Sequence, residues 1–143
     1  ELGNNAQLGR LLGVEIQGEI DLLVPWGTFP TALSGVELAF WLELRLGRTP
    51  LWCGDTVQDE IRRVAWCTGG GQGFIDNAAR FGVDAFITGE VSEQTIHSAR
   101  EQGIHFYAAG HHATERCGIQ ALSDWLSTET DLDVTFIDIP NPA

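Results

Sequence analysis

Val64-Ala65-Trp66-Cys67-Thr68-Gly69-Gly70-Gly71-Gln72-Gly73-Phe74 is an apolar run that breaks into glycines and opens onto a helix-length segment, 74–81. The same order returns twice. Residues 85–88 lead through Gly89 and Glu90 to a segment at 92–101, and 106–109 lead through Gly110, His111 and His112 to one at 113–126. The apolar runs are short enough for strands and nearly continuous, which suits a sheet covered on both faces. Another run, Val134-Thr135-Phe136-Ile137-Asp138-Ile139, reads as one more strand. Strands alternating with helices mark an α/β fold. We expect three layers, α/β/α, around a largely parallel or mixed sheet.

Upstream the pattern is less regular. Residues 4–12 have helical spacing and stop at Gly13, a plausible C-cap. Residues 14–24 alternate loosely, as one strand would, and run into a turn region between Pro25 and Pro30. Ser34 is placed to cap a helix carrying Val36, Leu38, Ala39, Phe40, Leu42 and Leu46, closed by Gly47. The chain therefore divides into an irregular α+β segment, 1–61, packing on the core, and a βα-repeat segment, 62–143, within one compact unit.

With 143 residues there is room for one domain, and 43% hydrophobic residues can build its core. The net charge is −12, and all eight cations are arginines scattered along the chain. From Cys117 onward there is no cation, while Asp124, Glu129, Asp131, Asp133 and Asp138 are acidic. This argues against direct nucleic-acid binding. No apolar run approaches the ~18–20 residues that span a bilayer, so no membrane partner is expected. The three cysteines, Cys53, Cys67 and Cys117, show no close pair and read as buried thiols of a reducing compartment. The absence of methionine and the start at Glu1 lead us to expect a piece of a longer chain.

In sheets of this kind ligands bind at the carboxyl ends of the strands. The three glycine-bearing exits are therefore the place to look for chemistry. In His111-His112-Ala113-Thr114-Glu115, a helix would put His111 and Glu115, four apart, on one face. His112 and Glu115, three apart, could share a face as well. Imidazole with carboxylate suits Zn, Fe or Mn. The same residues also suit a plain helix start, with Glu115 favouring the dipole and the histidines incidental. Two ligands fall short of the three that a catalytic zinc typically takes from protein. His97 is mid-helix and His105 opens a strand at its amino end, so further ligands must come from elsewhere.

Gly69, Gly70, Gly71 and Gly73 could turn backbone N–H groups toward a phosphate at the following helix. The loop lacks the Gly-Lys-Ser/Thr ending of a P-loop, and glycines after a strand also serve a tight turn. Glu90 precedes Ser92, an N-cap, so it fits helix-start electrostatics; it equally fits a general base beside the histidines.

Asp84-Ala85-Phe86-Ile87-Thr88-Gly89-Glu90 and Gly110-His111-His112-Ala113-Thr114-Glu115-Arg116 closely resemble the Ngg-one-interacting-factor-three-like family. Its members carry the label GTP cyclohydrolase type 2 homologue, and the resemblance runs along essentially the whole chain. It implies a dinuclear metal site between two α/β parts of a subunit, of which this chain is the carboxyl-terminal part. By that resemblance His111 and Glu115 are metal ligands. The remaining ligands, a pair of adjacent histidines and an aspartate, belong to an upstream region and have no counterpart in these residues. The resemblance further implies two divalent metal ions per complete subunit, a ring-shaped homohexamer, a cytoplasmic location and a role in handling damaged nucleotides or in DNA repair.

Two functional readings follow. One is a metal-dependent hydrolase of a nucleotide-like or small anionic substrate, with Glu90 as proton acceptor and the glycine loop orienting a phosphate. The other is a metal-handling assembly protein without turnover, its acidic surface concentrating cations.

Overall fold

Each strand expected at the centre alternates apolar side chains between two cores, and this fixes the architecture. The computed structural model describes residues 1–54 and 60–143; the stretch 55–59 of the expected first segment lies outside them. Along the chain come α1 (Asn4–Leu12), β1 (Glu15–Asp21), β2 (Val24–Leu33), α2 (Gly35–Leu46), β3 (Leu51–Cys53) and β4 (Ile61–Cys67). Next are α3 (Ile75–Phe81), entered through a single 3-10 turn at Gln72–Phe74, then β5 (Ala85–Thr88), α4 (Glu93–Gln102), β6 (His105–Ala108) and α5 (His111–Glu129).

The six strands lie in the order β1-β2-β4-β5-β6-β3. The β4–β5 and β5–β6 pairs are parallel, while β1–β2, β2–β4 and β3–β6 are antiparallel. The sheet is therefore mixed, with a parallel centre. Val64 and Trp66, Ala85 and Ile87, and Tyr107 face one core, with Leu8 and Leu12 of α1, Leu38 and Leu42 of α2, and Ala113 of α5. Ala65 and Cys67, Phe86, Phe106 and Ala108 face the other, with Ile75 and Ala78 of α3 and Ala99 of α4. Period-two alternation with apolar residues on both faces produces the α/β/α layering.

Local signals explain the helix ends. Ser34 and Glu37 form a capping box at α2: the Ser34 hydroxyl accepts from the Glu37 amide, and the Glu37 carboxylate accepts from the Ser34 amide at 2.7 Å. Gly13, Gly47, Gly82 and Gly103 each end a helix in the left-handed region.

Several expectations are corrected. Residues 14–24 do not form one strand before a turn; they belong to a β1–β2 hairpin that turns at Leu22-Leu23, with Leu23 at φ 67°. The Pro25–Pro30 region is the body of β2, not a turn. Pro30 sits in the register break between Thr28 and Leu33, where no ladder N–H is needed, and Pro25 is the strand's second residue. The first segment does more than pack on the core, because β1, β2 and β3 make half of the sheet and the 61/62 division falls inside β4. Helix α5 begins at His111, two residues earlier than the spacing indicated.

Residues 134–139 form no strand. They run outside the sheet along α5, because the edge of β6 they would have joined is taken by β3. Among the described residues no helix is long and apolar enough to cross a membrane.

Candidate functional site

Parallel pairing of β4, β5 and β6 brings their three exits to one rim. The ladder continues past the strands: Gly110 N–H donates to the Gly89 carbonyl at 3.0 Å, and Gly89 N–H donates to the Gly69 carbonyl at 2.9 Å. Gly89 must lack a side chain, since a Cβ there would lie 2.6 Å from His111 Cα and 2.7 Å from the Gly69 carbonyl oxygen. These rungs set Glu90, His111 and the glycine loop side by side.

His111 is the hub. Its Nδ1 lies 2.6 Å from Glu90 Oε1. A carboxylate can only accept, so Nδ1 carries a proton, and Nε2 is the nitrogen left to offer a lone pair when the ring is neutral. Nε2 points toward Glu115 Oε2, one helical turn on, at 3.3 Å. Gln72 Nε2 donates to the other Glu90 oxygen at 3.2 Å. The hydrogen bond to Glu90 raises the His111 pKa above its ordinary value, and the bonds from His111 and then Gln72 lower that of Glu90. Both side chains remain partly open to solvent.

The glycine loop wraps this pair closely. A Cβ on Gly69, which has φ +68°, would meet Glu115 Oε1 at 2.7 Å and His111 Nε2 at 3.1 Å, and one on Gly70 would lie 3.5 Å from the Glu90 carboxylate. The loop amides expected to hold a phosphate are partly committed. Gly69 N–H donates to Thr114 Oγ1 and Gly71 N–H to Thr88 Oγ1, each at 3.0 Å. The expectation of a phosphate there then rests on Gly70 and Gly73. Gly73 has open space at its Cβ position, and Gly70 faces an acid.

His112 turns away from Glu115. Its Nε2 is 3.5 Å from Asp138, which also pairs with Arg116 at 3.0 Å. His97 is exposed, and His105 is buried at the far rim, where its Nδ1 accepts from Trp52 Nε1 at 3.2 Å. Neither approaches His111. Cys53, Cys67 and Cys117 form no disulfide, and burial first and the Glu115 charge second push the Cys67 thiol up from its ordinary value.

Two grooves meet at Glu115. One, about 600 Å³, runs between α5 and residues 134–143 and includes His111, Glu115 and Arg116. The other, about 690 Å³, is lined by Asn5, Cys67, Thr68 and Glu115 among others. The donor chemistry fits a divalent ion: an imidazole nitrogen beside a carboxylate, with the ring fixed from behind by a second carboxylate. The donor number falls short. Among the described residues no group of three or more His, Cys, Asp or Glu is arranged to hold a metal ion.

Sequence reasoning missed three contributors. Gln72 orients Glu90, Gly89 permits the close approach, and Thr114 ties Gly69 to the first turn of α5. Only the position of Gln72 inside the glycine loop could have hinted at any of them.

The family model described as Duf34/NIF3 (NGG1p interacting factor 3) matches residues 1–142. Among curated relatives, the GTP cyclohydrolase 1 type 2 homolog of Escherichia coli strain K12 is 76% identical over the whole chain, and that of Yersinia pestis is 66% identical. This chain spans 58% of the length of each. Among solved structures, one described as protein ybgI of unknown function aligns at 76% identity with a TM-score of 0.98, covering all of this chain and 58% of its own. TTHA1606 from Thermus thermophilus aligns at 29% identity with a TM-score of 0.86, again over all of this chain and 57% of its own.

Proposed function

The chain belongs to the Duf34/NIF3 family, and on that premise we propose that His111 and Glu115 are one half of a divalent-metal centre serving hydrolysis of a small, nucleotide-like anionic substrate. One observation carries the reading: an imidazole nitrogen and a carboxylate oxygen 3.3 Å apart at the carboxyl rim of a parallel sheet centre, with the opposite ring nitrogen held at 2.6 Å by Glu90. The other half of the donor set comes from the part of the relatives' length that this chain does not span.

A pair of divalent ions, when bound, would supply Lewis acidity and a water acidified toward neutral pH. The chain's own residues do the rest. Glu90 keeps the proton on Nδ1, and Gln72 keeps Glu90 in place. Nε2, on giving up any proton it carries, and the Glu115 carboxylate provide the two ligands. Glu90 is also a carboxylate at the rim that could take up a proton released there. The loop glycines stand against Glu90 and Glu115, so an anion entering without a cation meets negative charge. Cation first and anionic substrate second is therefore the order of binding.

The net charge of −12 favours a second reading, in which the protein holds cations and performs no turnover. The two are separated by joining these 143 residues to the remainder of the Escherichia coli relative and measuring bound metal and hydrolysis of a nucleotide panel. Two ions per chain with turnover supports the hydrolase; two ions and no turnover on any nucleotide supports metal handling. Metal content unchanged in both His111→Ala and Glu115→Ala would refute the ligand assignment.

A further inference from the structure

On its β2 side, strand β4 loses its ladder partner just where the site begins. Trp26, Gly27 and Thr28 of β2 pair with Ala65, Val64 and Arg63 of β4, and the same register carried on would set Leu23 opposite Thr68. Pro25 intervenes and has no amide to donate, so the ladder lapses before it reaches that pair. A side chain from another element fills the gap. Asn5, in the first turn of α1, donates from Nδ2 to the Leu23 carbonyl at 2.9 Å and accepts the Thr68 amide on Oδ1, also at 2.9 Å. Both partners are main-chain groups of fixed role, so the bonds themselves dictate which way the carboxamide faces.

Asn5 is itself firmly held. Trp66 Nε1 donates to its main-chain carbonyl at 2.8 Å, and Leu8 of the same helix is fully buried in the core. The helix does not use this side chain for its own start, since its N-cap is Gly3 and no side chain caps it. The hairpin tip that Asn5 grips is strained, with Leu23 at φ 67°. From Thr68 the chain passes directly to Gly69. The Gly69 carbonyl accepts from Thr88 Oγ1 at 3.1 Å and from the Gly89 amide at 2.9 Å, while its own amide donates to Thr114. Thr88 and Thr114 are fully buried. The loop is thus pinned on the β5 and α5 side by buried hydroxyls, and Asn5 holds the opposite side.

We infer that Asn5 is a positioning residue: its carboxamide replaces a missing rung between β2 and β4 and so sets the glycine loop where Gly69 meets His111 and Glu115. A direct rung from Leu23 to Thr68 would draw the two main chains to ladder spacing, roughly 4.7–4.9 Å. The inserted carboxamide holds them farther apart and leaves the β4 exit leaning on α5. The second groove opens at this gap, lined by Asn5, Leu23, Thr68 and Glu115 among others. The task demands one side chain that donates and accepts at once: an ionised Asp lacks the donor, and Ala lacks both. The consequence for metal binding rests on the half-site reading; the placement of the loop does not.

NMR of the metal-free chain tests it with Asn5→Ala, Asn5→Asp and Asn77→Ala. Asn77 Nδ2 donates to Asp21 Oδ2 at 2.7 Å, so Asn77→Ala loosens the same hairpin without touching Thr68. Asn5→Ala should fold, because alanine suits a helix and the carbonyl that Trp66 grips is retained. In it the Thr68 amide should exchange about tenfold faster, and the Gly69 and His111 resonances should move. Asn5→Asp keeps the acceptor, so it should restore slow exchange at Thr68 and bring His111 back near its parent position. Asn77→Ala should leave all three signals as in the parent. Unmoved His111 resonances in Asn5→Ala would overturn the inference. So would a shift as large in Asn77→Ala or in Asn5→Asp, or an Asn5→Ala chain that does not fold. With these residues joined to the remainder of the Escherichia coli relative, Asn5→Ala should weaken Zn²⁺ binding about tenfold. Moved His111 resonances with unchanged Zn²⁺ affinity sink the half-site reading and leave the positioning role standing; unmoved resonances sink that role whatever the metal does.

Discussion

Replacing Gly69 by Ala tests whether the glycine loop exists to let His111 and Glu115 meet. Gly69 has φ +68°, and an alanine held there costs about 1–2 kcal/mol from the clash of Cβ with its own backbone. Gly47 supplies the control: its φ is +70° and nothing lies within 4 Å of its Cβ position, so Gly47→Ala carries the strain alone. At Gly69 the new methyl would also sit 2.7 Å from Glu115 Oε1 and 3.1 Å from His111 Nε2. Glu115 is the far end of a flexible, partly exposed side chain, so it should swing aside at small cost in stability. The two variants should therefore melt alike, each lower than the parent by roughly 2–8 °C at about 2–4 °C per kcal/mol. Only Gly69→Ala should alter the site. Histidine side-chain NMR of the metal-free protein should show moved His111 resonances in Gly69→Ala and unmoved ones in Gly47→Ala. Unchanged His111 resonances in Gly69→Ala would refute the reasoning, as would a melting loss far beyond that of Gly47→Ala, because the carboxylate would then not be free to yield.

Glu90→Gln should bring the His111 pKa down toward its ordinary 6.5, read by NMR titration without metal. In the parent the His111 value is raised, so its share of stability is present below 6.5 and lost as pH rises through the folded value; the Glu90 value is lowered, so its share is present above 4.5 and lost as pH falls. The parent's melting advantage over Glu90→Gln should thus be greatest between those limits and fade at alkaline pH; a constant gap up to pH ~9 would contradict this linkage. Leu42→Ala empties a fully buried position between α2 and the sheet and should cost about 2–5 kcal/mol in denaturant unfolding, with His111 resonances unaffected.

The centre of the fold was legible because its strands bury both faces, and a continuous apolar run needs no partner to be recognised. Helix ends were legible where a capping chemistry marks them, as at Ser34 and Gly13. The β1–β2 hairpin was not, because Pro25 and Pro30 signal a turn unless the register break that tolerates Pro30 is known. Nor was β3, three residues long and recognisable only through its pairing with β6. At the site, the four-residue spacing of His111 and Glu115 was visible in the sequence. Which imidazole nitrogen faces Glu90 was not, since that depends on how closely three separate loops approach. Val134 to Ile139 read as a strand from propensity, and in these residues that propensity has no partner to satisfy it.

The chain of rungs from Gly110 through Gly89 to Gly69 makes the site a matter of indexing. A residue inserted between Thr88 and Glu90, or between Ala108 and His111, would shift one donor out of phase with the others, and no side-chain adjustment could restore the 2.6 Å contact. At the opposite rim the bends at Gly82 and Gly103 bear no such constraint, since they end helices facing open or loosely contacted space. Length changes among diverging relatives should therefore collect at that rim, and engineered tags or split points belong there as well.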